Sequence, residues 1–424
     1  MRVLLISANT ELINMPTLPL GLACVATATQ NEGHDVEILD LLKQDDISTS
    51  IKDAIEGFQP RLIGVSVRNI DDQNMEDPKF LLDQAKEVVA SCKVSSEAPV
   101  VLGGAGYSIF PESALAYLDA DMGIQGEGEA SFVLLIDKIT QKRSLSGLPG
   151  LYLPGKGLQG ETSYIHSLDR FPLPDIRLLP TSGYKPEDVW IPVQTRRGCP
   201  LRCSYCSTGT IEGHRIRKRS PDSLVPWLAE WVDSEFRRFH FVDNTFNLPP
   251  SYAEAVCSRI IEAGLDINWR CILYPGHVSE SLIQSMKKAG CKEVSLGFES
   301  GSEPILKGMN KGFTVKEIRQ ASKMLADQGI HRTGFLLLGG PGENKKTVEE
   351  SLSFVDSLDL DFLKLTIGIR IYPETELEKV AVEEGVISEE KDLLFPTFYM
   401  VKEIEDWLRD TVHGCLNEHK NWMT

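Results

Sequence analysis

The N-terminal third of the chain alternates short β-branched runs with stretches of helical periodicity. Apolar runs at residues 3–7, 36–42, 62–67 and 100–103 are separated by amphipathic stretches such as 20–32 and 78–91. Strand–helix alternation at this spacing predicts an α/β fold, an open, doubly wound (Rossmann-like) parallel sheet with helices on both faces, over residues 1–143. Residues 144–186 lack sustained periodicity and hold Pro149, Gly150, Pro172, Pro174, Pro180 and Pro186, the composition of a linker. A second alternation fills residues 187–385, with strands predicted at 191–195, 238–243, 268–273, 293–299, 332–338 and 362–369 and helices at 252–263, 281–289, 315–328 and 346–358. Six repeats fall short of the eight that close a TIM barrel, so the pattern predicts a partial (β/α)6 barrel with its chemistry at the carboxyl ends of the strands. Residues 386–424 carry Phe395, Phe398, Tyr399 and Trp407 and read as an ordered C-terminal cap; the aromatics suit either an apolar substrate wall or core packing.

Composition narrows the function classes. The 424 residues are 42% hydrophobic and 25% charged, as in a folded globular protein, and their net charge of −17 opposes binding to nucleic acid or anionic lipid. The first apolar run is too short for a secretory signal, and no run approaches the roughly 18 apolar residues that cross a bilayer, which predicts no transmembrane segment and a cytoplasmic protein. Nine cysteines are too sparse for a disulfide framework in a chain this long. Six of them, Cys24, Cys92, Cys257, Cys271, Cys291 and Cys415, are scattered through apolar or helical patterns and read as isolated thiols.

The other three form a C-x3-C-x2-C array, Cys199, Cys203 and Cys206, directly after the first predicted barrel strand. Three thiolates on one loop can hold three irons of a cubane cluster and leave the fourth iron open to another ligand. Structural zinc is the alternative; it needs a fourth ligand, for which His214 is the nearby candidate. His240, His277 and His331 lack ligand spacing with it or with each other.

At these residues the chain resembles the radical S-adenosylmethionine (radical SAM) enzymes. The resemblance implies a [4Fe–4S] cluster on Cys199, Cys203 and Cys206, whose open iron chelates S-adenosylmethionine and whose reduction frees a 5′-deoxyadenosyl radical. Tyr205 matches the aromatic residue whose backbone meets the adenine. Further matches are the segments from Phe241 to Phe246, from Gly297 to Ser302, from Gly334 to Glu343, and Tyr372-Pro373-Glu374-Thr375. By position at strand ends, Asp243 and Asn244 are candidates for the cofactor's amino group, Glu299 and Ser300 for its amino and ribose hydrogens, and Arg270 or Arg332 for its carboxylate. Gly339 and Gly340 fit either a cofactor contact or a tight turn.

A sheet domain preceding such a barrel resembles the cobalamin-binding branch of this superfamily. The matching pieces are Pro19-Leu20-Gly21, Gly103-Gly104-Ala105-Gly106-Tyr107-Ser108, Pro111-Glu112 and Gly123-Ile124-Gln125-Gly126-Glu127-Gly128-Glu129. Candidate cobalamin contacts are Asn9, Thr10, Ser66, Arg68, Asn69, Gly103, Gly104, Gly106, Gly126 and Glu127. Many cobalamin proteins supply a histidine from a D-x-H-x-x-G loop after the first strand; residues 7–20 contain none. The resemblance then implies a benzimidazole tail buried in the sheet domain, with Ser66, Arg68 and Asn69 as candidates to approach cobalt's lower face. The run from Arg68 to Asp72 also places charges where the two domains should meet, as for an interface pair.

The implied activity is methylation of an unactivated carbon of a small molecule or lipid, using the cluster, S-adenosylmethionine and cobalamin, with an external electron donor such as flavodoxin or ferredoxin. A cobalamin-dependent cyclisation or rearrangement is the second reading. A cobalamin or redox sensor without turnover is the third, and the intact cysteine array opposes it.

Overall fold

The computed structural model describes residues 1–12, 16–171 and 173–424; residues 13–15 of the histidine-free loop and Pro172 of the linker lie outside the described residues. The first domain runs β1 (Arg2–Ser7), α1 (Leu20–Asn31), β2 (Asp35–Asp40), α2 (Ile47–Phe58), β3 (Leu62–Ser66), α3 (Leu82–Ser95), β4 (Val100–Gly103), α4 (Ala105–Ile109), α5 (Pro111–Leu118), β5 (Met122–Ile124) and α6 (Gly128–Thr140). Its strands are ordered β2-β1-β3-β4-β5 and all are parallel, so the order reverses at β1/β3. That reversal opens the crevice in which doubly wound sheets bind ligands. The strands bury nearly every position because helices cover both faces: β1 is exposed only at Arg2.

Residues 144–186 are not all linker. Within them β6 (Leu151–Leu153) and β7 (Gly157–Leu158) form an antiparallel hairpin that extends the first sheet past β5. Three-residue strands are shorter than a periodicity test can register.

The second domain begins with β8 (Ile191–Val193), β9 (Arg196–Arg197), α7 (Thr208–Glu212), β10 (Arg217–Lys218) and α8 (Pro221–Asp233). It continues through β11 (Arg238–Phe241), α9 (Pro250–Glu262), β12 (Asn268–Leu273), α10 (Glu280–Lys288), β13 (Cys291–Glu299), α11 (Glu303–Gly308) and α12 (Val315–Asp327). β14 (His331–Leu338), α13 (Lys345–Asp356), β15 (Phe362–Ile367), β16 (Ile369–Arg370), α14 (Glu376–Glu383), β17 (Phe398–Tyr399), α15 (Glu405–Glu418) and β18 (Trp422–Met423) complete it. Six parallel strands lie in the order β8-β11-β12-β13-β14-β15, and β18 adds a seventh beside β15. Alternate residues such as Phe239, Phe241, Trp269, Cys271, Leu363 and Leu365 are buried under the outer helices. The intervening residues face the concave side.

Two of the C-terminal aromatics have packing partners. Phe395 lies against Phe80 and Tyr117 of the first domain at 4.8 and 5.7 Å, and Tyr399 is buried with its hydroxyl on Glu384. Among the described residues no helix is long and apolar enough to cross a membrane.

Candidate active site

The cysteine loop is shaped by its flanks. Gly198 takes φ +84°, and a Cβ there would collide with the Arg215 carbonyl, so the chain turns sharply between β9 and Cys199 where only glycine fits. Cys199 N–H donates to Gly213 O at 3.1 Å, Ser204 N–H to Met309 O at 3.0 Å, and Asn310 Nδ2 to Arg202 O at 2.6 Å. Leu377 N–H, at the start of α14, donates to Ser204 O at 2.8 Å. The loop is thus pinned by the segment after α11 and by α14, which hold the mouth of the barrel.

Cys199 is buried, Cys203 half-buried and Cys206 exposed. Burial pushes the Cys199 thiol up to about 11, and the neighbouring Cys206 and Cys203 push it in the same direction. Burial raises Cys203 as well, against the pull of Lys311. Three thiols this close feel one another's charge, a field that a metal cluster relieves by taking them as thiolates. The donor set fits a cubane bound by three cysteines. His214 instead lays its ring over Gly209 in α7, and among the described residues no three His, Cys, Asp or Glu side chains form a ready-made ion cage.

Tyr205 and Glu299 come together on the barrel side of this loop, through a residue the sequence reading did not single out. Lys311 Nζ lies 2.9 Å from the Tyr205 hydroxyl, 3.2 Å from Gly297 O and 3.4 Å from Glu299 Oε1. Glu299 sits at the carboxyl end of β13, where the register with β14 shifts, and holds a left-handed φ of +66°. A non-glycine residue in that region is strained by on the order of 1–3 kcal/mol, a cost that persists where surrounding contacts fix the side chain's aim. Asn310-Lys311-Gly312 is a short polar turn without periodicity, and only its position two residues after the cysteine loop's own partner, Met309, marks it.

Four of the S-adenosylmethionine candidates point elsewhere. Asp243 is fully buried, and its oxygens accept from Thr195 N–H at 2.7 Å, Thr195 Oγ1 at 2.6 Å and Arg196 N–H at 3.0 Å. It anchors the end of β8, with Arg196 Nε also at 3.6 Å. Ser300 is likewise buried, sharing a hydrogen bond with Ser351 at 3.1 Å and accepting from Ser302 N–H. Gly339 and Gly340 form the tight turn: both N–H groups donate to Glu343 Oε2. The carboxylate candidates also fail to reach the mouth. Arg332 donates to Leu358 O and Asp359 O at the amino end of β14, and Arg270 lies beside Glu293 at 3.9 Å and over the Trp190 ring.

Asn244 leads to the second missed residue. Its Nδ2 donates to Glu212 Oε2 at 2.6 Å, and Glu212 also accepts from Gly198 N–H and Gln194 Nε2, both at 2.9 Å. Burial raises the Glu212 pKa against these bonds. Glu212 therefore joins the cysteine loop to the wall of the large cavity described next.

That cavity, about 330 Å³, opens at the carboxyl ends of β1, β3, β4 and β5 and is closed on the far side by Pro192, Gln194, Arg197 and Glu212 of the barrel. It runs into the first domain between sheet and helices along Leu5, Val25, Gly64, Val101, Ile124 and Phe132. A Cβ on Gly64 would stand 2.6 Å from Leu5 Cδ2, so glycine keeps the floor of this apolar slot low. A slot with a polar mouth at a strand-order reversal fits a cobalamin whose benzimidazole tail is withdrawn into the sheet domain. Asn9, Ser66, Arg68, Gly103, Gly104, Gly126 and Glu127 line it. Thr10 and Asn69 line a small neighbouring cleft, Thr10 donating to Gln84, and Gly106 packs against the Arg68 backbone. Glu127 reaches the cavity, but its carboxylate is bound to Arg217 and to Ile165 N–H, with Arg197 at 3.6 Å. Arg197 also meets Glu129 at 2.5 Å. The Gly126-Glu127-Gly128-Glu129 motif is therefore an interdomain clamp on the arginine two residues before Cys199.

Comparison with known proteins agrees with this geometry. The model of the radical SAM superfamily matches residues 193–355, and that of the B12 binding domain matches residues 7–136. The "uncharacterized methyltransferase PH0819" of Pyrococcus horikoshii is 30% identical over 91% of this chain and 84% of its own length. The tryptophan 2-C-methyltransferase of Streptomyces laurentii is 22% identical over 89% of this chain and 74% of its own. In fold, the radical S-adenosylmethionine methyltransferase TsrM of Kitasatospora setae aligns with a TM-score of 0.87 at 21% identity, covering 97% of this chain and 88% of that one. Both domain models, the cysteine loop and the sheet-domain cavity point the same way: the chain belongs to the cobalamin-binding methyltransferase branch of the radical SAM superfamily, whose cofactors are a [4Fe–4S] cluster, S-adenosylmethionine and cobalamin.

Proposed function

We propose that the protein methylates an unactivated carbon of a small molecule or lipid. One observation carries this reading: the cobalamin cavity and the cysteine loop share a wall, since Arg197 and Glu212 line the first and hold the second. When bound, the cluster supplies the electron that cleaves S-adenosylmethionine, and cobalamin carries the methyl group. The chain's own residues bind and orient. Lys311 takes the carboxylate of S-adenosylmethionine and Glu299 its amino or hydroxyl hydrogens; their 3.4 Å approach beside Tyr205 supports the pairing. Arg68 faces the cobalamin cavity, and among the described residues no carboxylate pairs with it, which supports its holding the cofactor there together with Ser66 and Asn69. The reductant is an external donor such as flavodoxin or ferredoxin, the setting cytoplasmic, and nucleic acid no partner of so acidic a chain.

The test is stoichiometric. Methyl transfer by this route consumes S-adenosylmethionine twice, so S-adenosylhomocysteine and 5′-deoxyadenosine should each approach one per product, and a CD₃-labelled cofactor should deliver CD₃ to the product. A rearranging enzyme would yield 5′-deoxyadenosine alone and an unlabelled product, and that outcome would replace this reading.

A further inference from the structure

The concave face of the barrel is apolar where it could have been polar. Ile272, Phe362 and Met423 lie on it, alternating with the buried Cys271, Leu363 and Leu365 of the helix-covered face, yet they are 37%, 49% and 44% exposed. Phe335 faces the same way from β14, level with Gly297 on one side and Lys364 on the other. Large apolar side chains left uncovered inside a barrel leave space for a ligand with an apolar body.

The carboxylates Glu293 and Glu299 on this face are both paired. Glu293 has Arg270 at 3.9 Å, and Glu299 has Lys311 at 3.4 Å. His240, cross-strand from Arg270, is held neutral by burial and by the nearby Arg270 and Arg68, which push it down to about 3. Arg238, on the same face, donates to the Glu187 carbonyl and lies over the Trp190 ring, which leaves Lys364. It sits half-buried in the middle of β15, cross-strand from Phe335 and Met423, and among the described residues no hydrogen bond or ion pair engages its ammonium. Among the described residues neither of its cross-strand partners is acidic. A half-buried ammonium without a counter-charge beside an apolar wall is a ready partner for an anionic ligand, which gains affinity from the ion pair and from covering that wall.

We infer that Lys364 is a specificity residue that pairs with a carboxylate or phosphate on the substrate, whose apolar body lies along Ile272, Phe335 and Met423. The inference rests on the methyltransferase reading of the same barrel, and its test reads binding alone, so either can fail without the other. The full-length protein, loaded with cluster and S-adenosylmethionine under anaerobic conditions, is titrated calorimetrically with four probes of one shape: 3-phenylpropionate, 3-phenylpropyl phosphate, 3-phenylpropanol and 3-phenylpropylamine. At least one anion should bind tenfold or more tightly than the alcohol, with the amine weakest, and whichever anion leads identifies the group. Lys364→Met should abolish that preference and Lys364→Arg should keep it; Lys364→Gln serves if the methionine variant does not fold. Equal binding of all four probes, no binding of either anion, or an anion preference that survives Lys364→Met would overturn the inference.

Discussion

Arg370 Nε lies 2.7 Å from Asp71 Oδ2 with both side chains buried, and this pair fastens the loop after β3 to the end of the barrel. The same arginine donates to the carbonyls of Ile371 and Leu393 at 2.6 and 2.8 Å. Along the loop, Gln73 Nε2 donates to the Tyr372 hydroxyl at 3.0 Å, and Met75 covers Gly368, where any Cβ would strike its sulfur. Arg68 and Asn69, at the start of this loop, are thereby held against the mouth of the barrel.

Breaking this fastening should loosen the two domains together. Asp71→Ala leaves a buried guanidinium uncompensated and should destabilise the protein by about 3–5 kcal/mol, read from urea unfolding. Asp71→Asn keeps an acceptor for Arg370 Nε and should fall well short of that loss. If Asp71→Ala unfolds at the same urea concentration as the wild type, the pair contributes nothing to holding the domains.

Anaerobic reconstitution should load about four irons and four sulfides per chain. Cys199→Ala, Cys203→Ala and Cys206→Ala should each prevent stable loading and reductive cleavage of S-adenosylmethionine. Cys92→Ala and Cys257→Ala remove buried core thiols and should alter stability, with iron content unchanged. Zinc without labile sulfide in the wild type would defeat the cluster assignment.

The architecture was legible in the sequence because burial on both faces of the first parallel sheet produces apolar runs, and those at 62–67 and 100–103 mark β3 and β4 to within a residue, while alternation of buried and open positions at 268–273 marks β12. The cysteine array was legible because its ligands are consecutive on one loop. The interface charge between residues 68 and 72 is also real, in Asp71 and Arg370, although the partner stands 299 positions away and no local pattern names it. Side-chain direction at strand ends was not legible. Asp243 and Glu299 are both acids at barrel strand ends, but the first turns back to cap Thr195 and Arg196, and the second turns outward through a left-handed backbone at a register shift. Nothing in either sequence neighbourhood encodes that difference. Lys311 and Glu212 were missed for the same reason: their importance lies in which loops they meet.

Cobalamin should be retained in a base-off form, and the paramagnetic resonance of its cob(II) state should lack nitrogen splitting from a protein imidazole. His34, the sole histidine of the first domain, lies beside the N-terminal amine at 3.3 Å and not on the cavity. Val101→Phe should fill the apolar slot and lower retention at least tenfold while leaving iron content intact. A clear single-nitrogen splitting assigned to the protein would contradict the cavity's geometry.

Glu343 gives the stability a pH dependence whose sign can be worked out. Its Oε2 accepts from both Gly339 and Gly340 N–H, and its Oε1 is buried without a partner among the described residues. Burial raises the carboxyl from its ordinary 4.5 to about 7, against the two backbone bonds. Between those values the folded chain keeps a proton that the unfolded chain has released, so this group's contribution falls as pH rises through the window and levels off above it. Glu343→Gln preserves the oxygen that receives both N–H groups and puts an amide where the uncompensated oxygen lay, without titrating. The variant's stability relative to the wild type should therefore climb between pH 4.5 and 7, by about 3 kcal/mol if the full shift is expressed, and stay level from pH 8 upward. Urea midpoints of the cluster-free protein at pH 5, 6, 7 and 8 measure this directly. A difference that shrinks as pH rises would mean that the carboxylate, not the acid, is the form the turn is built to hold.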